Sequence, residues 1–429
     1  MIRLRSILIN GFLVSLLLLP SLLSVKIGFL PVATLPRVLL VLGYLWTFLS
    51  KTRVSAFWES VKGCAFNLPL AFYLAVALFT AVVAGDINTF FGFFVDIYLL
   101  FYFSLFILKN YLSPDRFIEV VSFCLMLVCL FGLVEFLTGF NLFNTISISN
   151  TPLIEESYRD DLLRIRGPYG HPLAYGMVIL ILFPITCCDK KTHRIDLFRN
   201  TPLFVLISLN IFFTGSRSGI GIFVGELLIL YLLTDRRYRA RQLLISEALV
   251  FGVLGCVVFF SGNDVVQYFI RQASYVVDQL FGTTYSLKYG GDISVAASSI
   301  ARERIWKIPF SGFIDPLFGR GTSSNGSYVI DGWLVTSIDN YYVRTYISYA
   351  LGGVTAFALI IATFVRRCFQ VRVETNDRLA LLVLISGASY LINLLYVDEL
   401  STLKYLFIIA ALVESLSRLS FVEGGDRCG

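Results

Sequence analysis

Four short stretches of this chain set arginines among glycines, aromatics and small polar residues. The first is Arg164-Ile165-Arg166-Gly167-Pro168-Tyr169-Gly170-His171-Pro172 and the second is Thr214-Gly215-Ser216-Arg217-Ser218-Gly219. The third is Arg302-Glu303-Arg304-Ile305-Trp306, followed by the turn Asp315-Pro316-Leu317-Phe318-Gly319-Arg320-Gly321. The fourth is Asp339-Asn340-Tyr341-Tyr342-Val343-Arg344. A guanidinium is planar, stays charged at any relevant pH and pairs two phosphate oxygens at once. With roughly 1.5–3 kcal/mol per charge-assisted bond, two or three arginines hold a diphosphate without a metal. Glycines beside Arg166 and Arg217 let backbone N–H groups approach the same anion. Arg166, Arg217, Arg302 and Arg304 are therefore the candidate diphosphate-binding residues, with Arg320 and Arg344 as further candidates.

Each has a plainer reading beside it. Arg217 also suits an arginine meeting lipid phosphates at a helix end, and Arg302, Arg304 and Glu303 suit solvated loop charges. Arg344 could pair with Asp339 or Asp398. Of the two histidines, His193 stands among basic residues and reads as a solvated loop residue. His171 precedes a proline at a helix start, where it is either a cap or a base. Acids inside apolar segments are costly and call for a reason: Glu135, near a helix end, could line a substrate cleft, whereas Asp96 and Glu226 lie deeper and suit internal pairing. The sequence has no Walker loop, GxSxG or HExxH motif, no CxxC pair and no metal or cofactor signature. Its basic residues are divided among loops rather than gathered into a nucleic-acid groove.

The elements that must position these residues are apolar helices. Hydrophobic residues make up 57% of the 429-residue chain and charged residues 15%, with mean hydropathy +0.77. A soluble domain carries roughly 25% charged residues. Segments of roughly 20 apolar residues read as membrane spans, and about twelve are present: 7–24, 27–50, 68–84, 88–108, 117–138, 173–187, 202–213, 220–233, 243–261, 341–365, 379–397 and 402–416. The expected fold is an all-α polytopic membrane protein, a single membrane domain over 1–429. The 7–24 segment is too long for a signal peptide and reads as a retained first helix.

Basic residues fix the orientation. With the N-terminus inside, Lys51, Arg53, Lys62, Lys109, Arg116, Lys190, Lys191, Arg194, Arg199, the run 235–241, Arg366, Arg367, Arg372 and Arg378 all fall inside. Both termini are then cytoplasmic. Two long outward loops remain, 139–172 and, between the ninth and tenth helices, 262–340. The second opens with Val265, Val266, Phe269, Ile270, Ala273, Val276, Val277 and Leu280 on one helical face. That face predicts a surface amphipathic helix, lying either on the membrane or over the bundle. The rest of the loop shows no strand pattern. None of the eight cysteines falls in an outward segment, so no disulfide framework is expected.

On the four arginine stretches, taken in order with the large late loop, the chain resembles the O-antigen polymerase and ligase family of membrane glycosyltransferases. The resemblance runs from residue 160 to about 360, including Gly352-Gly353. It implies a bacterial inner-membrane enzyme acting at the periplasmic face on undecaprenyl-diphosphate-linked oligosaccharides, by metal-independent, inverting transfer. It implies that Arg217 and Arg302 or Arg304 hold the diphosphate, and that a chain-length regulator and a flippase are partners. Ligases of the family commonly carry a histidine just ahead of the asparagine that ends the large loop; here that residue is Asp339, followed by Asn340. This favours the polymerase over the ligase and makes Asp339 either the catalytic base or a helix cap. Arg217, Arg302 and Asp339 are the expected catalytic residues. A polytopic transporter with Asp96 and Glu226 on its path is the reading from a different class.

Overall fold

The structure is a computed structural model that describes residues 2–19, 24–25, 32–146, 158–159, 162–189, 192–289, 302–323, 327–399 and 401–417. Lys190, Lys191, Cys428 and parts of both long loops lie outside the described residues. The chain is mostly helical. We label its longer helices α1 (Ile2–Leu18), α2 (Leu35–Phe48), α3 (Lys51–Val61), α4 (Asn67–Ala84), α5 (Ile87–Asn110), α6 (Pro114–Thr138) and α7 (Pro172–Thr186). There follow α8 (Thr201–Phe213), α9 (Arg217–Leu233), α10 (Arg239–Phe259), α11 (Asp264–Phe281), α12 (Tyr341–Thr375), α13 (Leu379–Asn393) and α14 (Leu403–Leu416).

Among the described residues, five helices are long and apolar enough to cross a membrane: Asn67–Ala84, Ile87–Asn110, Pro114–Thr138, Arg236–Phe259 and Tyr341–Thr375. The other apolar helices are shorter. The helix in 7–24 ends at Leu18, and that in 27–50 begins only at Leu35, where Pro36 sits in the first turn. Conversely, α12 runs ten residues past the expected 365, to Thr375. α3 lies in what reads as a basic loop; its Trp58 is exposed while Phe57 is buried.

Early and late helices interleave. α14 packs along α5, α12 along α4, α13 along α7 and α8 along α6. α7 is apolar all round, α14 is apolar but for Lys404, Glu414 and Ser415, and both are buried nearly throughout, as helices at a bundle centre must be. α10 is apolar beyond its charged first turns but buries only Gln242, which leaves Phe251, Val258 and Phe259 exposed.

The helix ends form two groups. At one end, Tyr169 donates to Leu17 O, Tyr405 to Leu16 O, and the Tyr341 N–H to Leu394 O. We call this the motif end. At the other, His193 joins two helix starts: one ring nitrogen meets Asp115 at 3.1 Å and the other Asp377 at 2.8 Å. His193 is therefore a cross-brace between the starts of α6 and α13 rather than a solvated loop residue. Sequence spacing could not foresee this, because 184 positions separate His193 from Asp377.

The largest departure from regular helix is in α12. Ala350 adopts φ 54°, ψ −154°, a conformation that costs a residue with a Cβ on the order of 1–3 kcal/mol. The broken turn is satisfied from outside. The Arg320 and Gly321 N–H groups donate to Ile347 O and Ser348 O at 2.9 and 3.1 Å, and the Leu351 N–H donates to Pro316 O at 3.1 Å. The Asp315-Pro-Leu-Phe-Gly-Arg-Gly turn is thus the clasp of a broken helix. Asp315 shapes it by accepting the Leu317 and Phe318 N–H groups. Gly319 allows the close approach, since a Cβ there would stand 2.1 Å from Ser348 O.

The long loop also contains strands where none was expected. Tyr328–Ile330 pairs antiparallel with Trp333–Val335. Asp331 and Gly332 turn the hairpin with φ 52° and 77°, the pairing that a two-residue Asp-Gly turn favours. Tyr328 and Ile330 join Ile305, Ile308, Ile314 and Ile338 in a small core against Val343 and Ile347 of α12.

Two tests follow from these contacts. Gly319→Ala should lose about 2 kcal/mol or more by unseating the clasp hydrogen bonds, read as a lowered Tm of the purified protein, with Gly262→Ala as the control for an exposed turn glycine with open space around it. The carboxylates of Asp377 and Asp115 raise the His193 imidazole to about 9 against the opposing effect of burial. Its stabilising contribution is full below its unfolded value near 6.5 and is lost as pH rises through about 9. The Tm gap between wild type and His193→Gln should therefore be wide at pH 6 and close by pH 10.

Candidate functional site

The four arginine stretches meet at the motif end. The first two are joined directly: the Ile165 N–H donates to Phe213 O at 3.1 Å, and Arg164 Nε to Thr214 O at 2.8 Å. Gly215 takes a left-handed φ of 62° and Ser216 then starts α9 by accepting the Gly219 N–H. Arg217, the first residue of α9, lays its guanidinium 3.9 Å over the Tyr275 ring of α11. The amphipathic helix α11 packs over the bundle, burying Tyr268, Gln272 and Tyr275, with Phe269 against Phe212 and Phe213. Its buried face is thus centred on Tyr268, Gln272 and Tyr275, outside the apolar stripe read from the sequence, of which Ala273 and Val277 are exposed.

Arg166 and Glu135 form a buried unit rather than an open anion site. One Glu135 oxygen accepts the Asn141 amide at 2.8 Å, and the other the Gly167 N–H at 2.9 Å and the Arg166 N–H at 3.3 Å. Arg166 Nε stands 4.0 Å from the first oxygen. A carboxylate holding three N–H groups fixes the bend of the chain into α7. His171 caps that helix: its Nδ1 accepts the Leu173 N–H at 3.1 Å, which in the neutral ring assigns the proton to Nε2. Burial and the nearby Arg164 push its pKa below the usual value, opposed by Asp339.

Residues 302–307 are helical and send their arginines to different neighbours. Arg302 lies 5.5 Å over Tyr396, beyond the end of α13, and Arg304 lies 4.3 Å over Trp333 of the hairpin. Lys307 rather than either arginine holds Asp331, at 2.8 Å. Arg320 is exposed, over Tyr328, and donates to Phe313 O. Asn340 is the cap of α12, accepting the Val343 N–H and donating to Leu395 O. Asp339 stands exposed beside it and accepts the Ser337 hydroxyl at 2.8 Å.

Below the long loop is a charged cleft of about 440 Å³, between α2, α4, α5, α12 and the turn into α14. Of the candidate residues, Arg344 lines it, and Arg166, Arg217, Arg302 and Arg304 do not. Arg344 donates to Thr322 O at 2.8 Å. Asp96 takes a two-pronged pair from Arg37, at 2.8 and 2.5 Å. It sits on a turn of π-helix, Phe94–Leu99, set within α5; such turns often mark functional positions. Asp398, Glu399 and Lys404 complete the charged lining. Burial, reinforced by Asp398 and Asp96, raises the Glu399 carboxyl to about 7. Burial also raises Asp398, against the Glu399 N–H and Arg344, while Asp339 adds to the rise.

Arg37, Glu399 and Lys404 escaped the sequence reading. Acids within apolar segments drew notice there, but cations did not, although Arg37 and Lys404 were the same signal with the opposite sign. Glu226 is buried on α9 beside Ser389 of α13, and the cleft that Asp96 lines does not reach it. Among the described residues, no group of three or more His, Cys, Asp or Glu is placed to hold a metal ion. No protein-family model matches the chain, and no curated protein matches it.

The Glu135 unit carries its own test. Glu135→Ala would leave the Asn141 amide and two backbone N–H groups unsatisfied next to a buried arginine, at a cost of roughly 3–5 kcal/mol. A fall in Tm of that size, with a smaller fall for Glu135→Gln, is the expected thermal-unfolding result.

Proposed function

We propose that this chain is a membrane glycosyltransferase that polymerises lipid-diphosphate-linked oligosaccharide repeats of a bacterial surface polysaccharide. The observation that supports it best is the gathering of four arginine-bearing stretches, distant in sequence, at one end of the bundle beside a charged cleft. In this reading the bundle crosses the inner membrane about twelve times, with both termini cytoplasmic and the motif end periplasmic. The basic residues at the opposite end agree with that orientation.

The donor's diphosphate sits against Arg217, Arg302 and Arg304. Each guanidinium lies over an aromatic ring, a contact that helps to hold the fork in place while its N–H edge faces phosphate oxygens. As the bond from the anomeric carbon to the diphosphate breaks, these arginines stabilise the charge that develops on the leaving oxygens. An acceptor hydroxyl of a second lipid-linked repeat attacks from the opposite face and inverts the centre. The ligase reading differs only in the acceptor, and the transporter reading is weakened by the separation of Asp96 from Glu226.

Deletion of the gene should leave single repeats on the lipid carrier with no longer ladder, measured as the lipid-linked glycan profile of cells. Arg217→Ala and Arg302→Ala should each reduce ladder formation by roughly 100-fold or more. Long polymer retained on the carrier would instead identify a ligase. An unchanged profile, or full activity in the double alanine variant, would sink the glycosyltransferase reading.

A further inference from the structure

The charged cleft has a composition that a diphosphate site would not have. Its cations, Arg37, Arg344 and Lys404, face Asp96, Asp398 and Glu399, so even with Glu399 protonated it offers a polyanion no more than a single excess positive charge. What it offers is a wall of tyrosine rings, with Tyr73 edge-on to Tyr349 at 5.5 Å between centroids, and hydroxyls at Thr89, Thr322 and Ser348. Aromatic faces with many fixed donors and acceptors suit a neutral, polyhydroxylated ligand. The volume of about 440 Å³ lies within the range of small-ligand sites. The donors are also held in place: Arg37 by Asp96, Arg344 by Thr322 O, and Thr322 itself by the Thr89 hydroxyl, which accepts its N–H at 2.8 Å.

Resting on the glycosyl-transfer reading, we propose that this cleft seats the acceptor sugar and that Glu399 removes the proton from its attacking hydroxyl. In the step, the acceptor O–H proton passes to a Glu399 oxygen as the new oxygen–carbon bond forms at the donor's anomeric carbon. The bond from that carbon to the diphosphate breaks, and its electron pair leaves on the lipid diphosphate. Glu399 then returns the proton to water. Asp398 feels Arg344 within the cleft and Asp339 outside it, and Asp339 in turn acts on His171 of the first arginine stretch.

The groups facing Glu399 come from every wall. They are Asp398 on its own turn, Asp96 from α5 and Lys404 from α14, with the phenols of Tyr73 from α4, Tyr341 and Tyr349 from α12 and Tyr390 from α13. Burial and the two carboxylates hold its proton to about 7 against the pull of Lys404. The carboxylate that acts as base therefore gains population as pH rises through about 7.

The experiment reconstitutes the full-length protein in liposomes with lipid-linked repeats extracted from cells lacking the gene. Ladder formation is then followed from pH 5.5 to 8.5. Wild type should gain close to tenfold per pH unit below about 7 and then level off. Glu399→Gln should lose 100-fold or more and lose the pH step, at a Tm close to wild type. Glu399→Asp should keep a reduced rate with the step displaced, which holds the test open even if the Gln variant folds poorly. Retention of the wild-type rate and step by Glu399→Gln, or an undisplaced step in Glu399→Asp, overturns the proposal and leaves polymerisation standing. Loss of the step in Asp339→Asn alone moves the base to Asp339 and also overturns it. A wild-type protein that builds no ladder refutes the glycosyl-transfer reading, and this proposal falls with it.

Discussion

A helix that breaks within packed surroundings leaves amides and carbonyls that must find partners, and α12 breaks at Ala350. Those partners come from the turn at 315–321, which fixes where the long loop lies. The same turn carries on through Thr322 and Ser323 to Asp86, at the junction of α4 and α5. One interaction thus determines the shape of the motif-end part of α12, the seat of the 315–323 segment and the roof of the charged cleft. Arg344 depends on it directly, because its guanidinium is held by a carbonyl of the clasped segment.

Around this clasp the motif end separates two kinds of charge. Arginines stacked on tyrosine and tryptophan rings lie on the side of α9, α11 and the hairpin. Matched acids and bases lie on the side of α2, α5 and α14. His171, Ser216 and Asn340 cap three helix starts at this same end, and the positive ends of their dipoles add to the attraction for anions. In the proposed transfer a sugar passes from a lipid diphosphate to a hydroxyl, and this division gives the departing anion and the neutral acceptor separate surroundings.

Much of the helical frame was legible in the sequence because apolar length is a local property. The segments from 68 to 138 and from 379 to 416 hold their helices close to where hydropathy put them, and α12 starts where expected but runs on to Thr375. Boundaries failed where proline and loop contacts intervened, as at Leu35, and α3 went unseen because it is short and amphipathic. The Asp331-Gly332 hairpin was readable from its turn dipeptide but was obscured by the glycine-rich stretch around it. The motif stretches stood out, yet which of their arginines share a space depends on contacts between distant residues. Glu135 holds Arg166 across 31 positions and Arg37 meets Asp96 across 59. Glu399 looked like an ordinary loop acid, and only the walls around it make it unusual.

The clasp also orders the assembly of the chain. Gly321 and Ser348 are near neighbours in sequence, whereas Ser323 reaches Asp86 across 237 positions. Closing a short loop costs less entropy than closing a long one, so the turn can seat on α12 as a local unit before that unit meets α4 and α5. The cleft is complete only where this late unit meets helices made much earlier, since its lining draws on α2, α4 and α5 as well as α12 and the turn into α14. Synthesis stopped between residue 219 and α12 would yield the arginine stretches at 164–172 and 214–219 without a cleft, so the late helices are a precondition for the site.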